Sequence, residues 1–284
     1  MAAPNQSLNT AQAEKNDEFY TRYEDIAAEV EHYKHHFKGK VVACNCDDPR
    51  WSNFSKFFKD HFEELELRGL ISLFKGIDAY VETVGSKEGS RLYKLAGHGD
   101  FRSKEAQEYL AQADIVVTNP PFSLFRDYVE QLLNLEKKFL VIASENAISY
   151  ERFFPFLRDE KVWLGCTKPK VFRRPDGSQQ TFGNICWYTN MDMARRHKPL
   201  EMVESYSPEM HPSYSNIDAI EVGRVKLMPK DWDGMMGVPV SYLAKHCPDQ
   251  FEIVGNDTAL ASNNDRGVVH GKRKYARIII RRRT

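Results

Sequence analysis

Asn119-Pro120-Pro121-Phe122 places hydrogen-bond acceptors and an aromatic face in one stiff turn. Two consecutive prolines fix φ and remove two backbone donors, so the carbonyls there stay free to accept hydrogen bonds. Asn119 adds a side-chain acceptor beside them. Two acceptors so placed suit a planar exocyclic amine: they bind its N–H bonds and draw its lone pair out of conjugation, towards an incoming electrophile. Phe122 supplies a face on which a ring can stack. The competing reading is an Asn-Pro turn that only ends a strand.

The neighbouring residues say where this turn must lie. Asp114-Ile115-Val116-Val117-Thr118 reads as a buried β-branched strand that the prolines terminate. Leu124, Phe125, Tyr128, Val129, Leu132 and Leu133 follow at helical spacing. The turn therefore sits at the C-terminal edge of a strand, where open α/β sheets place ligands. Further strands are expected at 39–46, 70–74, 138–143, 161–166 and 184–189, with a hairpin of 79–84 and 91–96. Tyr23, Ile26, Val30, Tyr33 and Phe37 mark one amphipathic helix, and Trp51, Phe54, Phe57, Phe58, Phe62 and Leu65 another, over 51–68. This alternation predicts an α/β fold with a mostly parallel sheet, an antiparallel edge strand and a smaller C-terminal element.

Bulk properties narrow the class. The chain has 284 residues and a formal net charge of zero, which argues against a protein coated with nucleic acid on all sides. Five cysteines without C-x-x-C spacing suggest neither a disulfide framework nor a zinc site, and fit a reducing cytoplasm. His32, His35 and His36 lack a carboxylate or Cys at ligand spacing, so no metal is expected. No apolar run of about 18 residues appears, so no membrane span is expected. Residues 1–15 read as a mobile tail, 16–190 as the main domain and 191–284 as an accessory region.

Arg266 to Thr284 holds eight Lys or Arg and no acid, around Ile278-Ile279-Ile280. Lys272, Arg273, Lys274 and Arg277 are thereby candidate phosphate contacts. The alternative is that these cations blunt the edge of an exposed strand, which would move a nucleic-acid surface to the clusters at 168–174 and 195–198.

Beyond the Asn-Pro-Pro-Phe turn, four segments carry a wider resemblance: Asn16 to Thr21, Cys44-Asn45-Cys46-Asp47-Asp48-Pro49, Gly99-Asp100-Phe101-Arg102-Ser103 and Met236-Gly237-Val238-Pro239-Val240. With them the sequence resembles the amino-group DNA methyltransferases that use S-adenosylmethionine, and most closely their EcoRI-type adenine-specific family. The resemblance implies a class I methyltransferase, Rossmann-like fold. It also implies methyl transfer from S-adenosylmethionine to the N6 amine of a flipped-out adenine in DNA, within a restriction-modification setting in the cytoplasm of a prokaryotic or phage-infected cell. The catalytic residues would be Asn119, Pro120, Pro121 and Phe122, and residues 191–284 would recognise DNA.

For the cofactor, the resemblance implies Phe19, Tyr20 and Thr21 at the methionine end, and Asp100 accepting from the adenine amine with Phe101 against the ring. Asn45, Asp47 and Asp48 stand where most relatives of this fold have a glycine-rich turn. The Asp pair is assigned to the cofactor without a choice between the two, helix capping being the competing role. A Gly-Asp turn without ligand competes for Asp100. Lys75 follows Phe74 where an acid would bind the ribose, leaving Asp78 as the candidate. Two other functions share the motif: a non-catalytic nucleic-acid-binding protein on the same scaffold, and a methyltransferase for cytosine N4 or protein glutamine. Oligomeric state is left open.

Overall fold

A computed structural model of the chain describes residues 20–76, 79–85, 89–174, 177–262 and 265–283. Residues 1–15, Phe19 and Asp78 lie outside the described residues. The chain divides into two compact units. One takes the described residues up to Ala147 together with Leu164–Met191; the other takes Ile148–Trp163 and the residues from Asp192 on. Residues 148–163, expected in the main domain, belong to the second unit, where the helix Phe154–Arg158 buries Phe154 and Leu157 and packs against the strand Phe251–Asn256.

The first unit is built on a sheet of eight strands: β2 (Val41–Cys44), β3 (Gly69–Leu73), β4 (Tyr80–Gly85), β5 (Gly89–Lys94), β6 (Ile115–Thr118), β7 (Lys138–Ser144), β8 (Trp163–Leu164, of which Leu164 belongs to this unit) and β11 (Ile185–Thr189). Their spatial order is β5-β4-β3-β2-β6-β7-β11-β8. The expectation of a mostly parallel sheet is corrected: the sheet is mixed. Only the centre, β3-β2-β6-β7, is parallel, whereas β4, β5 and β11 join antiparallel. The hairpin at 79–96 was legible, but its pairing with β3 depends on a partner distant in sequence. Central strands are buried on both faces, which is why they read as continuous runs such as Ile115-Val116-Val117. At the edge, β5 is exposed throughout.

From β2 the chain passes to β3 on one side and later returns to β6 on the other. The order therefore reverses at β2, and a crevice opens beyond the C-terminal ends of β2 and β6. A small antiparallel sheet, β1 (Tyr20–Thr21), β9 (Val171–Arg173) and β10 (Gln179–Thr181), pairs Thr21 with Phe172. Glu29 anchors this region. Its fully buried carboxylate accepts from Cys166 N at 2.6 Å, Thr167 N at 2.5 Å, Thr167 Oγ1 at 2.7 Å and Tyr33 Oη at 3.0 Å.

The second unit holds a four-stranded sheet in the order β12 (Ile220–Glu221), β13 (Met236–Pro239), β17 (Arg277–Arg282), β14 (Phe251–Asn256), and a hairpin of β15 (Val268–Val269) and β16 (Lys272–Arg273). Ile278–Ile280 thus lie between two strands and not at an edge, which removes the edge-blunting role of the arginines. Gly237 fits under the Tyr214 ring, where a Cβ would collide. The Met236-Gly237-Val238-Pro239 segment accordingly has a packing role.

Candidate active site

The crevice at the sheet reversal is a cavity of about 690 Å³, within the range of small-molecule sites. One wall comes from the ends of the central strands, with Asn45, Asp47, Asn119, Pro120 and Pro121; another from the turns carrying Phe74, Lys75, Asp100 and Phe101. Tyr20, Thr21, Trp51 and Arg173 complete it.

Asp47 links the first wall to the turn. Its carboxylate is buried and accepts from Ser52 Oγ at 2.7 Å, from Thr118 Oγ1 and from the backbone N–H of Asn119. Burial pushes its pKa from 3.8 up to about 6, and these three neutral donors offset only part of that. Burial foremost raises the thiol pKa values of Cys44 and Cys46, and the nearby Asp47 charge adds to the rise. The end of β2 and the Asn-Pro-Pro turn after β6 are therefore one hydrogen-bonded unit. Asp48 behaves differently: it is buried outside the cavity lining and held by Arg50 through Nε at 2.9 Å, Nη2 at 2.5 Å and N at 2.9 Å. Its carbonyl accepts from Ser52 N at 2.9 Å, a turn that leads into the helix Asn53–Asp60.

Two buried polar atoms of lining residues, Thr21 Oγ1 and Asn45 Nδ2, have no hydrogen-bond partner among the described residues. An unmade hydrogen bond of this kind costs about 1–3 kcal/mol. Asn45 is held by the Tyr128 hydroxyl, which donates to its Oδ1, so its amide is aimed. Tyr20 meets Trp51 edge-on at 4.4 Å.

Asp100 sits after Gly99, whose φ of +67° and contact with the Phe74 carbonyl exclude any side chain there. The Asp100 carboxylate accepts from Arg102 Nε and Nη2, both at 2.8 Å, from Arg102 N at 3.0 Å and from Lys75 Nζ at 2.7 Å. Arg102 foremost, with Lys75, holds its pKa well below the usual carboxylate range. Phe101 is buried edge-on against Tyr128 at 4.9 Å. Phe122 is half-buried at the start of a short helical turn and is not part of the cavity wall.

The structure therefore brings Tyr20, Thr21, Asn45, Asp47, Asp100, Phe101, Asn119, Pro120 and Pro121 to one cavity. Residues not singled out from the sequence join them. Trp51, read as part of a helix face, precedes the helix and stands 47% exposed at the cavity. Arg173 arrives through the pairing of β9 with Tyr20, for which the sequence carries no local signal. Lys272, Arg273 and Lys274 lie on the β15–β16 hairpin or just after it. The expectation that Arg277 contacts phosphate is corrected. Its guanidinium is buried on Glu221, with Nε 3.1 Å from both carboxylate oxygens and Nη2 2.5 Å from Oε1, and Tyr214 Oη donates to the same carboxylate. Among the described residues no cluster of His, Cys, Asp or Glu is placed to hold a metal ion, and no helix is long and apolar enough to cross a membrane.

The cavity lies beyond the strand ends, where open α/β sheets place ligands, and comparison with known proteins identifies the family. The chain belongs to the adenine-specific methyltransferase EcoRI family, whose model matches residues 7–283. It is 37% identical to the Type II methyltransferase M.EcoRI of Escherichia coli, over 98% of this chain and 97% of that protein. It is 38% identical to the Type II methyltransferase M.MpnI of Mycoplasma pneumoniae, over 97% and 98% respectively. No solved structure matches it. The protein is a site-specific, adenine-specific DNA methyltransferase of the restriction-modification class, so it uses a methyl donor and acts on DNA.

Proposed function

We propose that the first unit is the methyl-transfer domain, a Rossmann-like class I methyltransferase in its parallel centre, and that its cavity binds S-adenosylmethionine beside an adenine flipped out of the duplex. The observation that carries this is the Asp47 network, which fixes the acceptor turn to the wall of the cavity. S-adenosylmethionine supplies a methyl group on a sulfonium, which the adenine nitrogen takes as the carbon–sulfur bond breaks and the electron pair stays on sulfur. Asn119 Oδ1 and the Pro120 carbonyl accept the N6 N–H bonds and keep the lone pair in line. Rate comes from orientation and polarisation, and the surplus amine proton leaves to water. Phe122 stacks the flipped base, returning ~1–3 kcal/mol of a flipping cost of a few kcal/mol.

The residues present fit the cofactor. Asn45 Nδ2 and Thr21 Oγ1 are buried polar atoms in want of partners, and Tyr20 and Phe101 offer apolar faces. The Asp100 carboxylate already holds four donors, so the cofactor adenine amine reaches it by taking the place of Lys75, whose long stem lets it swing away. Of the Asp pair we assign the site to Asp47, and to Asp48 the capping of the turn. The second unit recognises DNA, with Lys272, Arg273 and Lys274 as phosphate contacts. The enzyme works where such DNA lies, in the cytoplasm of a prokaryotic or phage-infected cell.

The test is to incubate the protein with methyl-labelled S-adenosylmethionine and mixed-sequence DNA and to digest the product to nucleosides. Label in N6-methyladenine is expected. Label in N4-methylcytosine or in protein, or none on DNA, would overturn the reading.

A further inference from the structure

The second unit carries a hairpin whose base is fixed and whose far side faces water. Its strands β15 and β16 are joined by His270-Gly271, both at positive φ, 49° and 71°, the two-residue turn whose twist matches that of the flanking strands. Val269 packs into the cluster with Tyr214 and Ile279. After the hairpin, Lys274 N donates to the Gly267 carbonyl at 2.9 Å. Arg277, itself clamped on Glu221, donates through Nη1 to the carbonyls of Tyr275 and Ala276 at 3.4 and 3.3 Å. The backbone that leads out to Tyr275 and back is therefore tied down at both ends.

On this fixed backbone Tyr275 is 86% exposed. Among the described residues, Lys272 and Lys274 have no acidic partner, whereas Arg273 is paired with Asp265. In the other basic clusters several cations are engaged, Lys168 with Glu145, Arg196 with Glu160, His197 with Asp192 and Asp249, and no exposed aromatic ring comparable to Tyr275 lies in either run. The fold gains nothing from a tyrosine ring left in water or from two unpaired ammonium groups beside it. A polyanion whose units each carry a flat ring satisfies both.

We propose that Tyr275 is an aromatic contact to the bases of DNA, carried on the same hairpin arm as two phosphate-binding lysines, Lys272 and Lys274. The proposal rests on the DNA reading above and adds a base contact to it. Every base has a π-face, and flipping a nucleotide out of the duplex uncovers those of its neighbours, so such stacking is tolerant of sequence and sits beside, not in place of, any edge readout. Because the backbone is already fixed, little ordering cost is left to meet on binding.

The test is fluorescence anisotropy of the full chain with a fluorescein-labelled mixed-sequence duplex over a series of salt concentrations. Tyr275→Ala should weaken binding by about fivefold to a hundredfold at one salt concentration and leave the slope of log affinity against log salt unchanged. Tyr275→Phe should restore the affinity, since the ring alone stacks. Lys272→Gln with Lys274→Gln should instead flatten the slope by about two units. An unaltered thermal midpoint for Tyr275→Ala confirms that the ring does not support the fold. Wild-type affinity in Tyr275→Ala, or a loss that Phe does not restore, overturns the proposal. So does a change in sedimentation with no change in DNA affinity, which would make Tyr275 a contact between copies of the chain. If the wild-type protein still methylates DNA in any of these cases, the failure is confined to Tyr275; if it neither binds nor methylates DNA, the functional reading falls as well.

Discussion

Two buried carboxylates, Asp47 in the first unit and Glu221 in the second, are held in different ways. In the second, Glu221 and Arg277 neutralise each other, Tyr214 completes the carboxylate, and Arg277 Nη1 meets backbone carbonyls. In the first, Asp47 is held only by two hydroxyls and a backbone N–H, and Thr21 Oγ1 and Asn45 Nδ2 remain without partners among the described residues. The first arrangement leaves two polar atoms of cavity-lining residues without a partner among the described residues. The second is complete on its own and serves the fold.

The sharpest way to break this contrast is to remove one side of the buried pair. Arg277→Met should cost about 3–5 kcal/mol of stability, because it strands a buried carboxylate. Denaturant unfolding reads this, and near-wild-type stability would show that Glu221 is solvated after all. Next in size, Asn119→Ala should lower kcat by on the order of 10²–10³, while calorimetry finds cofactor affinity within a few-fold of wild type. Equal loss of cofactor binding would make Asn119 a binding residue and not part of the acceptor turn. Asp100→Ala should weaken S-adenosylmethionine by about 1–3 kcal/mol; unchanged affinity in a folded variant returns Asp100 to the role of a turn residue.

The smallest effect is one of pH, and it has opposite signs in the two units. Asp47 binds its proton more tightly folded than unfolded, so its contribution to stability is present at low pH and is lost as pH rises from about 4 through about 6. Burial lowers the His246 pKa in the second unit from 6.5 to about 4, so its contribution is present above 6.5 and is lost as pH falls through that window. Each changes stability by at most about 1.4 kcal/mol per pH unit. Difference scans of Asp47→Asn and His246→Gln against wild type should therefore slope in opposite directions between pH 4 and 6.5. Parallel slopes would mean that burial does not govern both groups.

Much of the site was legible because its signals are local. Two prolines after a β-branched strand must end it, and a Gly before Asp100 must serve a turn, whatever surrounds them. The two adjacent aspartates show the limit. In sequence Asp47 and Asp48 are interchangeable, but one side chain meets Ser52 and Thr118 whereas the other meets Arg50. Their assignment depends on Thr118, far along the chain, lying beside β2.

The same division runs through the whole protein. By itself the sequence determined the central strands, the Asn-Pro-Pro-Phe turn that ends one of them, and the family, since each rests on residue type and short-range spacing. Only the tertiary structure decided that the sheet is mixed, that residues 148–163 join the second unit, that Arg173 and Trp51 reach the cavity, and that Arg277 is buried while Lys272 and Lys274 are not. Those outcomes depend on which distant strands pair and in what register. A one-residue slip in register turns every side chain of a strand to the opposite face, and no local pattern in a single sequence reports it.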